Sequence, residues 1–119
     1  MIIDKIRNLE EFKKLYDERP MPCQYAFDWL INNPHLYCFY DEETGDFKGF
    51  ISIQKEEGEL TLSGASVRKN MAGVIEGIIK VCNAYSENIY AYTPLKQAAL
   101  VLKKAGFKHI KDDKYVRFI

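Results

Sequence analysis

The densest run of chemically useful groups in the chain is Ser63-Gly64-Ala65-Ser66-Val67-Arg68-Lys69-Asn70-Met71-Ala72-Gly73. Small residues give way there to a basic pair, and an apolar run of helical period begins at Met71. A strand that stops at small residues and feeds a helix start leaves backbone N–H groups unpaired, where the helix dipole favours an anion. A pyrophosphate fits such a place. Arg68 and Lys69 add positive charge at its mouth, and Asn70 either caps the helix or turns toward the anion. The alternative is that Asn70 only caps and the basic pair is solvated.

The other reactive residue types are scattered. Cys23, Cys38 and Cys82 form no CxxC, and they read as reduced thiols of a cytoplasmic protein. His35 and His109 lie too far apart for an HExxH helix, so no metal is expected. Lys103, Lys104, Lys108, Lys111 and Lys114 are interleaved with Asp112 and Asp113, which describes a solvated face better than a nucleic-acid surface.

These groups sit in a chain of 119 residues with 17 Lys+Arg against 17 Asp+Glu, which argues against a partner chosen by bulk charge, such as non-specific DNA or an anionic membrane. The length suits one domain, residues 1–119, and 47% apolar residues supply a core, which excludes disorder as the main description. Asp4 stands where a signal peptide needs cationic residues, and no apolar stretch approaches the ~18 residues of a membrane span.

Periodicity assigns the elements that must hold the run in place. Residues 1–7 alternate weakly and suit a strand. Asn8, three residues before Glu11, opens a helix carrying Leu9, Phe12, Leu15 and Tyr16. Pro20 and Pro22 break it, and Cys23, Phe27, Leu30 and Ile31 stripe a second, short helix ending near Asn33-Pro34. Residues 36–40 and 47–54 read as a hairpin, and residues 59–63 as a third antiparallel strand. Met71, Val74, Ile75, Ile78, Ile79, Cys82 and Tyr85 follow helical spacing. A strand over residues 88–92 leads to Thr93-Pro94, read as an N-cap with proline at the first helical position, and a helix that Gly106 ends. Residues 107–110 and 115–119 close the chain as two strands about Asp112-Asp113. The result is an α+β fold, a mixed and largely antiparallel sheet flanked by helices.

This order resembles the GNAT superfamily of acyl-CoA-dependent N-acetyltransferases. Two stretches carry the resemblance: Glu59 to Ser63 with Val67-Arg68-Lys69-Asn70-Met71-Ala72-Gly73 and the helix after it, and Ile89-Tyr90-Ala91-Tyr92 with Leu95 to Gly106-Phe107. The residue match covers about a third of the chain. Aligned on Arg68, the family's first loop glycine is replaced by Met71 and its last is Gly73. Leu102 stands where many members carry a tyrosine acid, and Leu95 where an asparagine is frequent.

The resemblance implies acetyl-CoA as co-substrate, held by Ser63, Ala65, Val67, Arg68, Lys69, Asn70, Ala72 and Gly73, with the oxyanion on a backbone N–H around Gly64 or Ala65. It implies direct transfer to a primary amine, of a small molecule or a protein, entering over the first helices. A base is then needed, and Glu59 is the nearest candidate, Glu57 the second. Tyr92 or Tyr90 would replace the missing acid, Tyr92 being the choice, although alternating tyrosines also serve as packing. Ser63 and Ser66 either bond the pantetheine arm or end the strand. Cys82 belongs to the core stripe. The alternative function is a catalytically inactive interaction module of the same fold, such as a virus-borne or host-interacting protein would use. Either is compatible with a monomer or with a homodimer paired through an exposed edge strand near Ile119.

Overall fold

The computed structural model describes residues 1–18, 25–67 and 71–119. Cys23 and the Arg68, Lys69 and Asn70 of the anion-site reading lie outside them. The elements in chain order are β1 (Ile2–Asp4), α1 (Leu9–Glu18), α2 (Phe27–Ile31), β2 (Leu36–Tyr40), β3 (Phe47–Glu56), β4 (Glu59–Ser66), α3 (Met71–Cys82), β5 (Ile89–Tyr92), α4 (Lys96–Lys104), β6 (Lys108–Lys111) and β7 (Lys114–Arg117). Asn8 caps α1 as its spacing implies, its Oδ1 accepting from the Glu11 amide at 3.0 Å.

The strands form one sheet in the order β1-β2-β3-β4-β5-β7-β6. Every neighbouring pair is antiparallel except β4 with β5, which is parallel. This is the mixed, largely antiparallel α+β sheet that the sequence implies. Its two faces are packed separately. Leu60, Leu62, Val74, Ile78, Val81, Ile89, Ala91 and Leu102 join β4 and β5 to α3 and α4. On the other face Phe12, Leu30, Leu36, Cys38, Phe47 and Phe50 join α1 and α2 to β2 and β3. Burial pushes the thiol of Cys38 up to about 12 and that of Cys82 to about 11, so both are inert core groups.

Three boundaries differ from the sequence reading. β4 does not stop at Ser63 but runs to Ser66, because β3 is long enough to pair it back to Gly49. Small residues weaken the alternation without breaking the ladder. Gly64 is required there: a Cβ would lie 2.2 Å from the Phe50 carbonyl oxygen. Thr93 is not the N-cap of α4, whose cap is Leu95; its hydroxyl instead accepts from the Leu95 amide at 3.1 Å, turning the chain before the helix. The strand ending toward Ile119 is not an edge either. β7 lies between β5 and β6, and β6 is the edge, with all four of its residues exposed and lysines at both ends.

Gly64→Ala tests the close approach of β3 and β4. The added methyl meets backbone rather than a movable side chain, so we expect a loss of about 1–3 kcal/mol in denaturant unfolding. An unchanged midpoint would show that the strands part without cost.

Candidate active site

The site is built on β4. A two-residue turn, Glu57 at φ 49° and Gly58 at φ 84°, closes the β3–β4 hairpin and pairs Glu56 with Glu59. Two left-handed residues in sequence match the twist of the flanking strands, which fixes the register. Side chains then alternate. Leu60 and Leu62 enter the α3/α4 core, whereas Glu59, Thr61, Ser63 and Ala65 share the opposite face with Ser52, Gln54 and Glu56 of β3. Glu57 is left exposed at the turn tip.

That face carries a polar stripe. The Ser52 and Ser63 hydroxyls lie 2.9 Å apart, Ser52 being fully buried. Gln54 Nε2 donates to the Thr61 carbonyl at 3.0 Å, while its Oε1 is buried with no partner among the described residues. Tyr25 donates its phenol proton to Glu56 and stacks on the half-exposed Trp29, with ring centroids 4.7 Å apart.

Glu59 and Tyr92, assigned from the sequence as base and acid, are brought together. The Tyr92 phenol donates to Glu59 Oε1 at 2.5 Å. Tyr90, the other tyrosine considered, stands on the same face across from Thr61. A third member was missed. Lys114, set opposite Tyr92 on β7, donates to Glu59 Oε2 at 2.8 Å and lies 4.8 Å from the Tyr90 ring centre and 5.7 Å from that of Tyr92. Counted along the chain, Lys114 belongs to a lysine cluster. The signal that separates it is its place as the first residue of the strand pairing with Tyr92.

The three groups shift one another. The hydrogen bonds from Lys114 and then Tyr92 hold the Glu59 carboxyl below the ordinary carboxylate range. The same carboxylate raises the Tyr92 phenol, since it favours the neutral form, and raises Lys114, since it favours the charged one. At neutral pH the cluster is therefore carboxylate, phenol and ammonium.

The second half of the site is a split in the sheet. β4 pairs with β5 only at Leu60–Ile89 and Thr61–Tyr90. Val67 donates to the Lys48 carbonyl at 3.0 Å, which sets the phase of the β3–β4 ladder. By the alternation of an antiparallel pair, the amides of Ser63 and Ala65 point to β3, and those of Leu62, Gly64 and Ser66 point away from it, to the side that β5 has left. The two positions considered for the oxyanion are thus distinguished: Ala65 is committed to β3, and Gly64 faces the opening.

At the far end of β4, Ser66 Oγ lies 3.6 Å from the Met71 sulfur, tying the strand to the start of α3. The first turn of α3 holds no acidic residue, so nothing in it competes with an anion for the helix N-terminus. Ala72 is exposed there and Val67 half-buried. Gly73 lies near the first residue of the chain: a Cβ on it would stand 2.4 Å from the terminal methyl of Met1, the far end of a flexible side chain. Leu102, at the family's tyrosine position, is buried in the α3/α4 core, and Leu95 is half-buried at the cap of α4.

No sequence-family model and no curated protein matches the chain. Solved structures do. An aminoglycoside 6'-N-acetyltransferase complexed with coenzyme A aligns at TM-score 0.61 and 17% identity, covering 98% of this chain and 93% of that one. An acetyltransferase of the GNAT family from Bacillus anthracis aligns at 0.59 and 14%, covering 77% and 69%. Tetrahymena GCN5 aligns at 0.54 and 15%, covering 92% and 85%. The chain has the fold of the GNAT acetyltransferases.

The coupling inside the cluster is open to measurement. In Glu59→Gln the main cause that raises Tyr92 is gone while Lys114 remains to stabilise the phenolate, so the Tyr92 titration should move to lower pH. NMR of the Tyr92 ring, assigned with Tyr92→Phe, reads this directly; an unmoved titration would mean that the two side chains do not meet in solution.

Proposed function

We propose that the chain is an acetyl-CoA-dependent N-acetyltransferase that transfers the acetyl group directly to a primary amine. The observation that carries this is the departure of β5 from β4 after Thr61 and Tyr90, which leaves the Gly64 amide facing an opening on the same strand that carries Glu59, whose carboxylate meets the Tyr92 phenol. The coenzyme A bound by the aminoglycoside 6'-N-acetyltransferase of like fold supports the same ligand class. In this reading the pantetheine arm lies along β4 at Ser63 to Val67, and the pyrophosphate lies over residues 68–73, with Arg68, Lys69 and Asn70 at its mouth and Ala72 and Gly73 in the helix start.

The chemistry then divides among residues of one sheet face and one strand edge. Glu59, kept ionised, takes a proton from the acceptor ammonium directly or through water. The free amine attacks the thioester carbonyl, and the developing oxyanion rests on the Gly64 amide. Collapse of the tetrahedral species breaks the carbon–sulfur bond, the departing thiolate takes the proton that Tyr92 retains, and the second proton of the attacking nitrogen returns to the Tyr92 phenolate, leaving the neutral amide. Leu102 plays no part, because it is sealed in the core. That same burial favours a second reading, a catalytically inactive interaction module on the GNAT scaffold, because the family's usual acid position offers only a hydrocarbon.

Titration calorimetry with acetyl-CoA separates the two. Saturable binding that weakens about tenfold or more in Arg68→Ala, as for loss of a charge-assisted phosphate contact, and in Gly73→Glu supports the enzyme. Absence of binding by folded protein at millimolar ligand would leave the interaction module. Given binding, Glu59→Gln should reduce amine acetylation by about 10²–10⁴-fold, the usual contribution of a general base.

A further inference from the structure

We propose that Glu59, Tyr90 and Tyr92 form a receptor for primary alkylammonium groups, and that Lys114 is its resident occupant, a tethered competitor that an incoming amine must displace. The part concerning acetyl transfer rests on the function proposed above, whereas the binding itself does not.

The argument begins with where Lys114 starts and where it ends. Its backbone stands opposite Tyr92, on the far side of β5 from β4. Its ammonium nevertheless bonds a carboxylate on β4, at 2.8 Å. The stem therefore crosses β5, and on the way its charged end lies 4.8 Å from one tyrosine ring centre and 5.7 Å from the other. An ammonium on an unbranched four-carbon chain, held near two aromatic rings and bonded to a carboxylate, is in the pose that an alkylamine acceptor would take. The rings supply attraction for a cation, the carboxylate a charge-assisted hydrogen bond, and the Tyr92 phenol holds the second carboxylate oxygen at 2.5 Å, orienting it.

The pair is neither a free surface contact nor a sealed one. The Lys114 side chain is 24% exposed and that of Glu59 32%. Both side chains are open to solvent in part, so an external cation has access to the pair. A neighbouring lysine that is tethered in this way competes at an effective concentration on the order of millimolar. The apparent affinity for a free amine is then the intrinsic one scaled by the fraction of time that Lys114 is away. Removing the ammonium while keeping the stem should reveal the intrinsic affinity.

The test uses n-butylammonium chloride as the probe and sodium chloride at equal ionic strength as the reference, with no acyl-CoA present. Wild type, Lys114→Met, Lys114→Gln and Lys114→Met/Glu59→Gln are titrated while the Tyr90 and Tyr92 ring signals are followed by NMR. Lys114→Met and Lys114→Gln should bind butylammonium saturably, about tenfold more tightly than wild type, as for a site that Lys114 holds nine-tenths of the time. The double variant should lose that binding. Linear, non-saturating shifts in both single variants, affinity equal to wild type, or equal affinity in the double variant would each overturn the proposal. Because acetyl-CoA is absent, a failure here leaves the acetyltransferase reading standing, and a failure to bind acetyl-CoA leaves this receptor standing.

Discussion

The structure depends on one strand that is held unequally on its two sides. β3 pairs β4 along its whole length, from Glu59 to Ser66, while β5 pairs it only at Leu60 and Thr61. β5 gives all four of its residues to β7 instead. The sheet is thus two antiparallel halves joined by a short parallel seam. An edge of unpaired amides inside a folded domain is costly unless water or a ligand satisfies it. The helices make the arrangement hold: Val74, Ile78 and Val81 of α3 and Leu102 of α4 pack beneath Leu60, Leu62, Ile89 and Ala91, clamping the halves from one side. The opening is therefore a feature kept by the core.

The seam also decides which side chains meet. With Leu60 and Leu62 committed to the clamp, Glu59, Thr61 and Ser63 must face the other way. The I′ turn at Glu57-Gly58 places Ser52, Gln54 and Glu56 beside them in register, so both strands of the hairpin show polar groups on the face whose lower half is apolar and covered by α1 and α2. The polarity of the stripe increases as cover decreases, from the buried Ser52 to the exposed turn. A single slip of register would reverse every one of these assignments, which is why the left-handed turn residues matter to the chemistry.

The helices and most strands were legible in the sequence because each buries one face, and burial of one face leaves a period. The period of 3.6 from Met71 to Cys82 and the Asn8 cap of α1 are of this kind. The end of β4 was not legible, since Ser63-Gly64-Ala65-Ser66 has too little apolar contrast to show alternation, and its partner, Gly49, is equally blank. Glu59 and Tyr92 could be named as candidates, but what joins them could not. Lys114 lies 55 positions from Glu59, and its reach depends on β7 entering the sheet between β5 and β6. That insertion is a long-range pairing choice, which local periodicity does not encode.

Lys114 also answers a physical difficulty in the site. A carboxylate whose side chain is 32% exposed is partly shielded from water and loses solvation that it must recover from a partner. An amine acceptor would supply that partner only while bound. A permanent cation would supply it always, yet one fixed too firmly would close the site. A lysine from the adjacent half-sheet lies between these extremes: its stem is flexible and carries about 2 kcal/mol of rotamer entropy that pays for release, and its ammonium offers the same hydrogen-bonding groups as the acceptor. Because β7 hangs from β5 and not from β4, the occupant and the carboxylate stand on opposite sides of the seam.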